Sequence, residues 1–294
     1  MKKTFLVIFA AAAMVALTAC NGKTEGGEAK DSTSVENNGD EAFNPYTFAT
    51  PENATIADQD NVSYVLYPAG VKGCIEEKKD IKDAVNIYYS ADGFQWRDGK
   101  TIVRETEIPN SLIIPIYKDQ EAHKGDIVLT WWQSGSGMQR AIVTDDSNPK
   151  EPKVMYLDLS YKGDGSGIAE GERHANQALK PNSFMVLEDG KWQPGQTVAV
   201  KTGNDTKIGI LVSFTDDKVI YSGFASKLAE AEKTDCTILP VKPNFAVGDN
   251  VEFKFTDSFH KDGKILELKP EIGRAKVKRD NFGEDWVSIL ELKK

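Results

Sequence analysis

The sequence predicts an all-β protein made of tandem small barrels with one or two short helices, preceded by a cleaved leader and a disordered tether. Three observations predict it. From Phe43 onward, short runs of Val, Ile, Tyr, Phe and Trp are separated by Gly, Asp, Asn and Pro, the punctuation of strands and hairpin turns. A Gly turn recurs before a strand in Lys124-Gly125-Asp126-Ile127-Val128, Pro194-Gly195-Gln196-Thr197-Val198 and Val247-Gly248-Asp249-Asn250-Val251. Each is followed by further strand-like runs, giving about five short antiparallel strands in about 50 residues, and closure of so small a sheet removes its exposed edges.

The leader spans residues 1–19. Met1-Lys2-Lys3-Thr4 is a positively charged start, and residues 5–17 form an apolar run of 13 residues, short of the about 20 that a membrane-spanning helix needs. The run ends in Leu17-Thr18-Ala19-Cys20. A Leu and two small residues before a cysteine resemble the lipobox of bacterial lipoprotein signals, and the resemblance covers residues 1–20. It implies that the Cys20 thiol is acylated, that the chain is cut before it, and that the mature protein is held by lipid to a bilayer of the cell envelope. In enterobacterial lipoproteins an Asp after the cysteine favours the inner membrane; Asn21 stands there, so the implied site is the outer membrane, facing the periplasm or the cell surface.

Residues 20–45 are the expected tether. From residue 21 to 42 there is no aromatic side chain, and Val35 is the one branched aliphatic, so the segment buries no core and stays hydrated. Acidic segments at this place resemble the surface-export signals of some Bacteroidota-type lipoproteins, although this one lacks a tight acidic cluster. Loss of Lys2 and Lys3, with no acid, takes the formal charge from −9 to −11. An acidic chain without a basic cluster repels phosphate backbones, which disfavours nucleic acid as a partner. Hydrophobic residues at 40% and five tryptophans supply enough apolar surface for folded domains.

The module at residues 46–117 carries strand runs at 62–67 and 85–89 but no Gly-Asp turn, and is either a degenerate fourth unit or a distinct β module. Strands are expected at 126–132, 140–144 and 154–159 in the segment 118–192, and at 197–201, 208–214 and 218–221 in the segment 193–241. The segment 242–294 carries them at 250–255, 264–268, 274–278 and 286–290. Ala and Glu content predicts helices over 168–179 and 226–233. Ile113-Ile114-Pro115-Ile116 leads into the first Gly turn as Ile238-Leu239-Pro240-Val241 leads into the third.

Gly125-Asp126-Ile127-Val128 through Trp131-Trp132, then Arg140-Ala141-Ile142-Val143, then Val154-Met155-Tyr156-Leu157-Asp158 resembles the strand order of Tudor and SH3-like barrels. Residues 246–294 repeat the pattern with Phe253 and Phe255 in place of the tryptophans; residues 193–241 are more divergent. In Tudor-like domains aromatics cage methylated cations, and in bacterial SH3-like domains they line peptide or peptidoglycan grooves. The resemblance would place such a surface at Trp132 and Tyr156. Adjacent strand residues point to opposite faces, so Trp131 and Trp132 cannot both enter one core; packing between barrels is the competing role. An envelope protein is in the wrong compartment for a methyl mark.

Nothing in the chain forms a recognisable catalytic cluster. Lys162-Gly163-Asp164-Gly165-Ser166-Gly167 matches neither phosphate-loop spacing, and Asp164 would repel phosphate. His123, His174 and His260 are dispersed, away from one another and from cysteine. Asp145-Asp146 and Asp216-Asp217 occupy equivalent hairpin turns, where Asp bonds to backbone. Apart from Cys20, only Cys74 and Cys236 remain; two buried free thiols or one disulfide are open to them. The expectation is a non-enzymatic lipoprotein without cofactor or metal that binds or scaffolds an unknown protein, peptide or glycan ligand. A glycan- or peptidoglycan-binding module using Trp96, Trp132 or Trp192 as stacking platforms is the first alternative. An enzyme whose site is assembled between domains is the second.

Overall fold

A computed structural model describes residues 119–294 apart from 132–137, 159–162, 167–175, 182 and 225–227, together with separate strands within 62–116. Strands dominate and no long helix occurs among the described residues. In the N-terminal module, β1 (Val62–Val65) pairs antiparallel with β5 (Ile113–Ile116), and β2 (Ala84–Tyr89) lies between β3 (Gln95–Trp96) and β4 (Arg104–Pro109).

Three five-stranded units follow, all with antiparallel neighbours. The first comprises β6 (Ile127–Trp131), β7 (Met138–Asp145), β8 (Lys153–Tyr156), β9 (Gln177–Ala178) and β10 (Phe184–Val186), in the order β10-β6-β7-β8-β9. The second comprises β11 (Thr197–Thr202), β12 (Asp205–Phe214), β13 (Lys218–Ser222), β14 (Leu228–Glu232) and β15 (Cys236–Ile238). Its β15 pairs back onto β11, giving β15-β11-β12-β13-β14. The third comprises β16 (Asn250–Phe255), β17 (Ser258–Lys269), β18 (Arg274–Arg279), β19 (Gly283–Ser288) and β20 (Leu292–Lys293), in the order β20-β16-β17-β18-β19. Each unit therefore has the same plan: a four-strand meander whose fifth strand returns to the first.

The Gly turns are one structure used three times. Gly125, Gly195 and Gly248 have φ of 87°, 93° and 95°, a region that penalises any residue with a Cβ. Their N–H groups donate to the carbonyls of Val143, Leu211 and Ile265, each 2.8 or 2.9 Å away. The second strand of each unit then bulges immediately after that residue, which sharpens its bend. Asp126 and Asp249 close their turns by accepting from the backbone of His123 and Ala246; Gln196 replaces the Asp in the second unit.

Two expected helices are corrected. Gln177–Ala178, inside the span 168–179, is strand β9, paired with Lys153 and Val154; residues 167–175 lie outside the described set. In the span 226–233, Leu228–Glu232 is strand β14. The Ala and Glu content favours helix, but Leu-Ala-Glu-Ala-Glu also alternates with period two. Ala229 and Ala231 pack on the core while Glu230 and Glu232 reach Lys218 on the adjoining strand. The ladder and the buried alanines override a weak local preference. A single 3-10 turn, Lys233–Asp235, follows, and Ile289–Glu291 holds the same place in the third unit.

Each unit has its own core, built from alternate residues: Val128, Ala141, Val143, Val154, Tyr156 and Phe184 in the first; Val198, Val200, Leu211, Val219 and Tyr221 in the second; Val251, Phe253, Ile265, Ala275 and Val277 in the third. The first unit also buries the opposite face of its strands, at Ile127, Leu129, Ile142, Met155 and Leu157. Burial on both faces means that other elements cover it. Gly195 of the second unit lies against Leu129, and Gly273 of the third against Leu157 and Ile142.

These contacts separate two glycines that share a backbone conformation. Gly248→Ala meets open space and should lose only the left-handed strain, about 1–2 kcal/mol. Gly195→Ala adds a Cβ 3.0–3.2 Å from Leu129 and should lose measurably more in urea unfolding; equal losses would mean that the first two units do not touch there.

Candidate functional site

The three units meet at a buried charge. Arg140 on β7 is 3% exposed and sits on the face of its strand opposite the core residues Ala141 and Val143. Its guanidinium grips Asp158: Nη2 is 2.7 Å from Oδ1 and Nε is 3.0 Å from Oδ2. The Arg140 backbone N–H also donates to Asp158, at 2.8 Å. Nη1 donates to the Thr197 hydroxyl on β11, and that hydroxyl donates to the Leu290 carbonyl of the third unit at 3.2 Å. One chain of bonds thus crosses all three units. A second link runs from Arg274 Nη2 to the Tyr156 carbonyl, 3.0 Å. Lys207 on β12 pairs with Asp257 at 2.7 Å and ties the second unit to the third.

Burial pushes the Asp158 carboxyl upward, but the charge and hydrogen bonds of Arg140 outweigh it and hold the group below the usual carboxylate range. Asp158 is therefore an anion that completes Arg140 rather than a proton donor. The turn-to-strand equivalence of Val143, Leu211 and Ile265 puts Ile208 and Asp262 at the position of Arg140 in the other units. The node belongs to the first unit alone and is not part of the repeat.

Beside the node, between the three units, lies a cleft of about 280 Å³. Gln139, Arg140 and Asp158 come from the first unit, Ser222 and Phe224 from the second, and Lys254 and Glu291 from the third. Lys254 and Glu291 pair at 2.8 Å. Phe224, at the end of β13, is 61% exposed.

Of the aromatic residues singled out in the sequence, Tyr156 and Trp192 are placed elsewhere. Tyr156 has no exposed surface and packs in the core of the first unit. This corrects its expected place on a ligand surface: on β8 it shares a face with Val154, and that face points inward. Trp192 is half-buried against the second core; its ring lies 5.8 Å from Phe214 and carries the Lys233 ammonium at 4.9 Å. It serves that unit rather than standing as an open platform. Trp96 lies on β3, with its backbone alone described. Trp132 lies outside the described residues, as do Leu17, Thr18, Ala19 and Cys20. Cys236 is a half-buried free thiol, pushed up to about 11 by burial and by Asp235; Cys74 is outside the described set.

Among the described residues no group of His, Cys, Asp and Glu is placed to hold a metal ion, and no helix is long and apolar enough to cross a membrane. Asp145 accepts from the backbone and hydroxyl of Ser147, the turn role expected of it. His260 packs with Phe253, Phe255 and Phe282. Sequence reasoning noticed Asp158 only as part of a strand pattern, and missed Phe224 and Thr197. An Arg and an Asp inside two otherwise apolar strands were the available signal for the node. No family model and no curated protein shows a significant match to this sequence.

Arg140→Met strands the Asp158 carboxylate in the interior and should cost about 3–5 kcal/mol in chemical unfolding. Adding Asp158→Leu should restore much of that loss; no recovery would mean that the pair is not a buried charge. Because the folded carboxyl is held below its unfolded value, the stabilisation is full above about pH 4. It should fall in the wild type as pH drops through the lowered value, and the double variant should lack this component.

Proposed function

We propose that the chain is an envelope lipoprotein, anchored through acylated Cys20, whose three C-terminal units act as one non-catalytic binding or scaffolding arm. In this reading each unit is a small SH3- or Tudor-like barrel. Support comes from the return of every fifth strand to the first, and from the 3-10 turn before that strand in the second and third units. The observation that carries the binding arm is the junction: units of one plan, joined by Arg140 and Thr197, enclose a cleft that none of them contains alone.

The carboxylates at that cleft favour binding over catalysis. Asp158 is engaged by Arg140, which holds its carboxyl below the usual carboxylate range, and Glu291 is engaged by Lys254.

Anchoring is tested by phase partition. The full-length gene product expressed in a bacterium is expected in the detergent phase of a Triton X-114 extract, and Cys20→Ser in the aqueous phase. Wild-type protein in the aqueous phase would contradict lipidation.

A further inference from the structure

The cleft holds two polar side chains that the fold does not use. Gln139 is 6% exposed and Ser222 is 4% exposed, and both line the cleft. Among the described residues neither the Gln139 amide nor the Ser222 hydroxyl is bonded within the protein, and neither is among the side-chain groups sealed from solvent without a partner, so their polar atoms are open to the cleft. Of the other hydroxyls buried as deeply, those of Thr130, Ser183, Thr197 and Ser288 bond within the protein, whereas that of Ser213 is sealed in without a partner and does not line the cleft. Amides and hydroxyls that open onto a cavity without a protein partner are completed there by ordered water or by a ligand.

The rest of the cleft defines what fits. Its cations are matched by anions, Arg140 by Asp158 and Lys254 by Glu291, so a phosphate or another anion finds no uncompensated charge. The strands at its walls are already paired, β12 with β11, β13 and β17, and β16 with β17 and β20, which leaves no ladder edge for an extended peptide to join. At the rim Phe224 presents an aromatic ring, whereas Trp192, Trp286 and Phe259 each carry a lysine of their own chain. A volume of about 280 Å³ is at the small end of ligand cavities.

We propose that this cleft binds an uncharged saccharide of one or two units, with a sugar face stacked on Phe224 and its hydroxyls bonded to Gln139 and Ser222. The carbon-bearing face of a sugar ring packs on an aromatic, and its hydroxyls both donate and accept, as an amide and a hydroxyl require. The inference rests on the reading of the three units as a binding arm, and names the class of molecule that the arm takes.

The test applies the full chain to a printed array of neutral mono- and disaccharides and, in parallel, to an array of short peptides. The tightest sugar is then titrated calorimetrically. Wild type is expected to bind a saccharide, Phe224→Ala to weaken it about tenfold and Ser222→Ala about fivefold. Both variants should keep the wild-type Tm, because Phe224 is exposed and the Ser222 hydroxyl makes no internal bond. Absence of any bound saccharide, or equal binding by Phe224→Ala, overturns the proposal. Peptide binding lost in Phe224→Ala overturns the saccharide class and leaves the binding arm standing; binding to neither array removes both.

Discussion

The Arg140–Asp158 ion pair is the constraint on which the arrangement of the three units depends. A guanidinium this deeply buried is tolerated only when its donors are satisfied, and the fold satisfies them from more than one unit. Asp158 takes two sides of the fork, and Thr197 takes a third direction and passes the link on to Leu290. Separating the units would open this node to water, but it would also uncover Ile127, Leu129, Ile142, Met155 and Leu157, the second apolar face of the first unit. Polar geometry sets how the units meet, and apolar burial supplies the driving force.

Size explains why such a device is needed. A single unit of about 50 residues buries too little apolar surface to be comfortably stable alone. Repeating one plan three times does not cure this unless the copies share an interface. Here the first unit gives up its solvent face, the second contributes Gly195 and Thr197, and the third contributes Gly273, Arg274 and Leu290. The cleft lies beside the same node and is lined from all three units. The polar groups around that concavity come from all three, so the proposed binding property belongs to the assembly of units rather than to the repeat.

What the sequence made legible was the repeated part. The Gly turns announce themselves because their backbone conformation admits little else, and the first three strands of each unit are long enough to show alternation. The fourth and fifth strands were missed where they are two or three residues long, as in β9, β10 and β15, or where composition favoured helix, as in β14. Pairing across the unit decides those segments, and pairing is not a local property. The site was less legible for the same reason. Tyr156 and Trp192 attracted attention as aromatics, yet strand phase turned the first inward and Lys233 with Phe214 engaged the second. Phe224, Gln139 and Ser222 are unremarkable in sequence and acquire meaning only through neighbours far along the chain.

The central claim is that the three units form one body around Arg140, and residual dipolar couplings test it most directly. Amide couplings from β6–β8, β11–β13 and β16–β18 of the weakly aligned protein should all fit a single alignment tensor, with the relative orientations of the units described above. Three units that require different tensors, or different magnitudes of alignment, would contradict the claim.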